Sequence, residues 1–415
     1  MRDACRSGLI MTLLLGFTTS LGTQSSAQIP TPSPDVAAKA NQANDVVTLA
    51  ADKTVEREIK GGEKHTYQIA LAANQFFDVL VEQRGVDVVV RLIGQQGEML
   101  REVDSPNGTE GPEPISWVTE AAGVYRLEVS PLEQGAKAGR YGMKVVELRA
   151  AMPQDKDVIS AERAFAEGDQ LRLTQKPEPL RSAIAKFDEA LRLWQGLGNR
   201  PKQALTLHAL GFVYDLLGEQ QKALEFYNQA LQMHRATSDR GGEAVTLNNI
   251  GLVYSSLGDK QKALEFYHQA LTLFKATENQ RAQAQTLNRI GVIYDDLGDK
   301  QKALEFYTQA LPLQHVAGDR NGEVTILNNI ARVYISKGDK EKALEFYNQA
   351  LALSRTSGDK RIEAQTLNET GALYDSMGQT QKALELYKQA LPLLHDTGDR
   401  SSKAITLTKM GAAYM

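Results

Sequence analysis

Six side chains recurring at forty-residue intervals are suited to recognition chemistry: His208, Asn248, Asn288, Asn328, Asn368 and Thr408. A carboxamide carries both a donor and an acceptor, so it can pair with a peptide unit whatever side chains flank it. Such a column would hold a ligand without breaking a bond. Its other use is a hydrogen bond to a neighbouring helix or to solvent. Beside it run positions that vary: Ala209, Asn249, Arg289, Asn329 and Glu369, then Phe212, Leu252, Val292, Arg332 and Ala372, then Asp215, Ser255, Asp295, Ile335 and Asp375. Variation against a constant frame suits a specificity surface, and relaxed selection would leave the same trace. Arg289 and Arg332 are candidates for an acidic ligand group. The expectation is that they instead form surface pairs with Asp295 and Glu369, which contribute little.

Sets of residues that would do bond-breaking chemistry are missing from the sequence. The histidines, His65, His208, His234, His268, His315 and His395, fall in different columns or different repeats, with no i, i+4 pair and no H-E-x-x-H. There is no G-x-S-x-G, P-loop or G-x-G-x-x-G. Asp295 and Asp296 are adjacent on a helix and point apart. Asp87, Asp104 and Asn107 could bind calcium, but turn and strand-end roles are favoured. The only cysteine, Cys5, precedes the first apolar run. The expectation is a non-enzyme without cofactor or metal. Lys and Arg number 47 against 51 Asp and Glu, a net charge of −4. That balance lacks the basic excess a nucleic-acid partner would favour.

The elements that position these columns are repeats. Shifting the chain by 40 aligns Tyr214, Tyr254, Tyr294, Tyr334, Tyr374 and Tyr414. The same shift aligns Gly211, Gly251, Gly291, Gly371 and Gly411, with Ala331 as the exception, and also Gly218, Gly258, Gly298, Gly338 and Gly378. Leu207, Leu210, Gly211, Tyr214 and Leu217 form one face of a first helix. Gly211 admits a second helix at close range, and Gly218 ends the first helix in the left-handed conformation. Glu219, or Asp259 and Asp299 in the next units, is expected to cap the second helix, whose buried face is Ala223, Tyr227, Ala230 and Leu231. Between units, Gly318-Asp319, Gly358-Asp359 and Gly398-Asp399 place a stop before a cap. Ser238-Asp239 lacks the glycine, and Glu278-Asn279 is the weakest of these joints.

These columns resemble the tetratricopeptide repeat: L-x-x-L-G-x-x-Y in the first helix and A-x-x-x-[FY]-x-x-A in the second. The usual proline is absent, and the 40-residue unit resembles kinesin-light-chain-like and Pins-like arrays. The resemblance covers 159–415 and implies an all-α superhelical solenoid of six helix pairs and a truncated seventh, its first helices lining a concave groove. The first pair, 159–197, is degenerate in its first helix. Trp194 is placed at the join to the preceding domain. In such arrays the asparagine column holds the backbone of an extended peptide. The candidate groove is therefore His208, Asn248, Asn249, Asn288, Arg289, Asn328, Asn329, Arg332 and Asn368. No capping helix follows Met415, so the array is read as a fragment or as completed by a partner.

Residues 46–148 alternate with a period of two: Tyr67, Ile69, Leu71; Phe77, Val79, Val81; Val88, Val90, Leu92; Tyr125, Leu127, Val129; Tyr141, Met143, Val145. Seven or eight short strands separated by glycine turns make a small antiparallel β-sandwich. The stretches "GGEKHTYQIALAANQFFDVLVEQRGVDVVVRLIGQQGEML", "AAGVYRLEVS" and "AGRYGMKV" resemble the bacterial pre-peptidase C-terminal type of sandwich. That resemblance implies an extracytoplasmic accessory domain and carries over no catalytic residue.

Arg2 and Arg6, the short apolar run Leu9 to Phe17 and Ser25-Ser26-Ala27 read as a bacterial signal peptide, 1–27, cut between Ala27 and Gln28. Residues 28–45, with Pro30, Pro32 and Pro34, read as a spacer. Residues 150–158 are a polar join. The sequence thus describes a periplasmic or secreted multidomain protein, without a membrane span once the signal is removed, that binds a peptide or partner protein. The alternative is suggested by domain order, which resembles the N-terminal half of bacterial proteins ending in a CHAT domain. On that reading the chain is the regulatory arm of a caspase-like protease whose catalytic part lies beyond residue 415.

Overall fold

The computed structural model describes residues 46–50, 53–104 and 110–414. The expected signal, the Ala27–Gln28 cleavage point, the spacer, Cys5 and Asn107 lie outside the described residues. The chain divides into two compact units between Asn199 and Arg200.

Among the described residues the first unit opens with nine strands: β1 (Val47–Thr48), β2 (Thr54–Ile59), β3 (His65–Leu71), β4 (Gln75–Arg84), β5 (Val88–Ile93), β6 (Met99–Val103), β7 (Glu110–Val118), β8 (Gly123–Pro131) and β9 (Gly139–Ala150). They form two sheets, ordered β1-β3-β8-β5-β6 and β2-β9-β4-β7. Every pair is antiparallel except β1 with β3. All fifteen alternating apolar residues named above are buried between the sheets. Strand β7 is not foreshadowed by alternation, because Pro112 and Pro114 interrupt it. It lies at a sheet edge, where a missing backbone N–H is tolerated.

Helices α1 (Asp155–Leu173) and α2 (Pro177–Gly196) complete this unit. The join expected to be merely polar is a clamp. The Arg149 guanidinium grips Asp155 through Nη1 at 2.6 Å and Nη2 at 2.9 Å, and Met152 N donates to the same carboxylate at 2.6 Å. These donors, the Arg149 hydrogen bond first, hold the Asp155 carboxyl below its ordinary range. Arg149 also lies 4.3 Å from the Phe76 ring centroid, and Phe76 packs with Val118 and Ile159. Trp194, expected at this join, instead packs with Ala161, Ala164 and Ala190 inside the helix pair. The first helix of the pair has its own close-packing glycine: a Cβ at Gly168 would stand 2.8 Å from the Phe187 ring.

Among the described residues the second unit holds eleven helices: α3 (Arg200–Leu216), α4 (Gln220–Ala236), α5 (Arg240–Ser256), α6 (Lys260–Ala276), α7 (Gln280–Asp296), α8 (Lys300–Val316), α9 (Arg320–Ser336), α10 (Lys340–Ser357), α11 (Lys360–Ser376), α12 (Thr380–Asp396) and α13 (Arg400–Tyr414). Each odd helix from α3 to α11 pairs with the even helix that follows it, and α13 packs on α12 and α11. A Cβ at Gly211, Gly251, Gly291 or Gly371 would come within 2.5–2.8 Å of the ring of Tyr227, Tyr267, Tyr307 or Tyr387. Those glycines set the helix spacing. Nearer the turn, Lys222, Lys262 and Lys302 lie 5.0–5.1 Å over Tyr214, Tyr254 and Tyr294, which stack on Phe226, Phe266 and Phe306.

Asp259, Asp299 and Asp339 cap the even helices by accepting from the backbone N of Lys262, Lys302 and Lys342 at 3.1 Å. The cap expected of Glu219 is not made. Its side chain is one methylene longer and pairs with Lys222 at 2.7 Å. At the joints lacking glycine, Ser238 and Glu278 take the left-handed conformation themselves, with φ of 57° and 53°.

Candidate functional site: the inner face of the odd helices

Successive odd helices approach one another directly, α3 with α5, α7 with α9, α9 with α11 and α11 with α13, and successive even helices do not come as close. The odd helices therefore form the inner side of the stack, and the column of His208 and the asparagines lies where they meet.

The column forms a ladder. His208 Nδ1 lies 2.9 Å from Thr246 Oγ1, Asn328 Nδ2 donates to Thr366 Oγ1 at 3.0 Å, and Thr406 Oγ1 lies 3.0 Å from Asn368 Oδ1. Thr286 Oγ1 is 3.3 Å from Asn248 Oδ1. Each rung spans 38 residues. Thr286, Thr366 and Thr406 also donate to the carbonyls of Ala282, Ile362 and Ser402 four residues back, at 2.8, 3.0 and 2.8 Å. Thr366 Oγ1 accepts from the Asn328 NH2, whereas Thr286 and Thr406 share their one hydroxyl proton between the carbonyl four residues back and the amide oxygen of Asn248 or Asn368. At Asn328 the amide oxygen is buried without a partner.

One rung differs. Residue 326 is isoleucine, so Asn288 finds no hydroxyl. Its Oδ1 accepts instead from Asn329 Nδ2 at 2.8 Å, and Asn329 Oδ1 accepts from Arg332 Nη2. His208 makes a similar 41-residue contact, its Nε2 lying 3.2 Å from Asn249 Nδ2. The structure thus joins His208 with Asn249, and Asn288 with Asn329 and Arg332. It ties Asn248, Asn328 and Asn368 to threonines that the sequence reading passed over. The threonine column, Thr206, Thr246, Thr286, Thr366 and Thr406, was readable at the same 40-residue shift.

The expected pairs of Arg289 with Asp295 and Arg332 with Glu369 do not form. Lys300 Nζ takes Asp295 at 2.5 Å, and Glu369 accepts from Gln365 Nε2 at 3.0 Å. Arg289 is half-buried and has no ion pair among the described residues. Beneath Arg332 and Glu369, burial raises the Tyr347 hydroxyl above its ordinary range, with Glu369 adding to the rise and Arg332 opposing it. In the sandwich, burial raises the carboxyls of Asp87 and Asp104. Asp104 adds repulsion at Asp87, and Glu102 adds it at Asp104.

A family model described as tetratricopeptide repeat matches residues 180–236, 242–315 and 322–395. No curated protein matches the chain. Among solved structures, BtubC (BKLC) from P. vanneervenii is 20% identical, with 60% of this chain and 93% of that one covered at a TM-score of 0.43. A kinesin light chain of Podosopora anserina with nearly identical repeats is 22% identical over 47% and 96%, at 0.40. The apo form of the quorum sensor NprR from B. thuringiensis is 17% identical over 61% and 70%, at 0.47.

Proposed function

Residues 180–395 of this chain are tetratricopeptide repeats, and on that premise we propose that the protein is a non-catalytic, exported interaction scaffold whose inner groove holds a peptide or a segment of a partner protein. The observation that carries this reading is the ladder. Its rungs hold the odd helices at fixed spacing, so the groove is organised before a ligand arrives, which lowers the ordering cost of binding. On either side lie the half-exposed, variable positions of Leu252, Val292 and Ala372, and of Ser255 and Asp375, which would read side chains.

The test is position-specific photo-crosslinking with random peptide pools. Benzoylphenylalanine in place of Ser255 or Ala372 should capture peptide. In place of Gln229 or Gln269, exposed on even helices, it should not. Equal labelling at both sets, or none at either, would defeat the groove reading.

Export rests on Arg2, Arg6, the apolar run to Phe17 and Ser25-Ser26-Ala27. N-terminal sequencing of protein recovered from a bacterial host should begin at Gln28, and retention of the first 27 residues would refute the assignment. No helix among the described residues is long and apolar enough to cross a membrane.

A further inference from the structure

We propose that Arg57, Tyr67, Tyr141 and His65 form an acid-sensitive latch between the two sheets of the sandwich, closed while the imidazole is neutral and opened when it takes a proton. The bonds cross from one sheet to the other. His65 and Tyr67 stand two apart on β3, and Tyr141 on β9 meets both, its hydroxyl 2.8 Å from His65 Nδ1 and 2.5 Å from the Tyr67 hydroxyl. Arg57 lies opposite Tyr141 in the register of β2 with β9 and donates to the Tyr67 hydroxyl. His65, Tyr67 and Tyr141 are all buried.

The order of protons along this chain is set at its ends. A guanidinium can only donate. With Arg57 donating to Tyr67, every hydroxyl proton is paired when Tyr67 donates to Tyr141 and Tyr141 donates to His65 Nδ1, which then carries no proton. Burial raises both tyrosine hydroxyls above their ordinary range, so neither surrenders its proton to the imidazole. An imidazolium donates from both nitrogens. Its Nδ1–H would turn the Tyr141 hydroxyl toward Tyr67 and strand the Tyr67 proton, and a buried donor without an acceptor is costly. It would also set a second positive charge beside Arg57, which has no ion pair among the described residues and whose Nη1 is buried without a partner.

The charged and titratable groups facing His65 are Arg57 from β2, Glu63 from the β2–β3 turn, Tyr67 from its own strand and Tyr141 from β9; β8 sets Val129 opposite it. Burial, followed by the Arg57 charge, holds the imidazole below its ordinary range, and Glu63, bound to Lys60 N at 3.1 Å, opposes them. A lowered folded pKa gives stability that is full above the unfolded value of about 6.5 and lost as pH falls through the folded one. Asp78, Asp87 and Asp104 are raised by burial, so their protonation favours the folded sandwich as pH falls and has the opposite sign. What the latch holds is β2, an edge strand paired only with β9.

The experiment is hydrogen exchange of the full chain at about pH 7.5 and about pH 5, corrected for the intrinsic rate and read on the amides of β2. Corrected exchange there should quicken about tenfold in acid, as the local opening equilibrium shifts. Imidazole nitrogen shifts of the parent give the tautomer of His65, with the proton expected on Nε2 near neutrality. His65→Asn places an amide oxygen near the position of Nδ1 and cannot take the charge, so it should keep β2 protected at both pH values. Equal protection of β2 in the parent at both pH values, a proton on Nδ1 near neutrality, or an acid response that survives in His65→Asn would each overturn the latch. The two measurements on the parent decide the question even if the variant does not fold.

Discussion

Asn288 Oδ1 accepts from Asn329 Nδ2 at 2.8 Å, and residue 326, buried on the helix of Asn329, is an isoleucine that offers it no hydroxyl. Replacing a core valine by threonine ordinarily destabilises, because the hydroxyl is buried. Here the reverse order is expected. Ile326→Thr should be at least as stable as Ile326→Val, since its hydroxyl would meet both the carbonyl of residue 322 and the Asn288 amide. Thermal unfolding of the two variants decides it. A threonine variant weaker than the valine variant by about 1 kcal/mol would mean that the rungs do not stabilise the array.

The left-handed joints at Ser238 and Glu278 carry strain that glycine relieves elsewhere in the array. Ser238→Gly and Glu278→Gly should each stabilise by about 1 kcal/mol, and Gly298→Ser should cost a similar amount. Urea titration of the three variants is the measurement, with a loss of stability on introducing either glycine as the contrary result.

Acid should loosen the joint between α4 and α5. Buried His234 lies with Nδ1 2.8 Å from Asp239 Oδ2, and this contact, followed by the cap bond from Gly242 N, lowers the Asp239 carboxyl. A lowered folded pKa gives stability that is present above the unfolded value of about 3.9 and lost as pH falls through the folded one. Asp239→Asn keeps a capping side chain, as Asn279 does naturally, but removes the charge. It should be less stable than the parent at neutral pH by about 1 kcal/mol, with the gap closing below pH 4. A gap that stays constant into acid would assign the effect to the cap alone.

The Arg149–Asp155 clamp should protect the chain between strand and helix. Asp155→Ala removes the acceptor of three hydrogen bonds and leaves the guanidinium without that partner. Limited proteolysis should then cut between Ala150 and Asp155, where the parent resists. Unchanged digestion would show that Phe76, Val118 and Ile159 suffice to hold the joint.

Much of this was legible, and the misses have physical causes. Alternation marked the buried residues of five strands, because one face of each strand is in the core. Strand β7 was invisible because an edge strand can carry Pro112 and Pro114. Gly168 escaped notice because it stands 19 residues before Phe187, whereas Gly211 stands 16 before Tyr227; α2 begins three residues further ahead of its buried ring than α4 does, which puts Gly168 out of the 40-residue register. The asparagines were seen but their partners were not. A rung joins residue 208 to 246 and not to 248, because helices lying side by side meet with an offset that alignment of like with like conceals.

The two joints without glycine have a mechanical consequence. A linear array transmits tension through its joints in series, so the weakest decides where it yields. At Glu278 the strained backbone coincides with Phe274, which stands where His234 and Gln314 reach across to the cap of the next helix. Pulled from its ends, the stack should part first at Glu278, behaving as two stiff springs joined by a softer coupling.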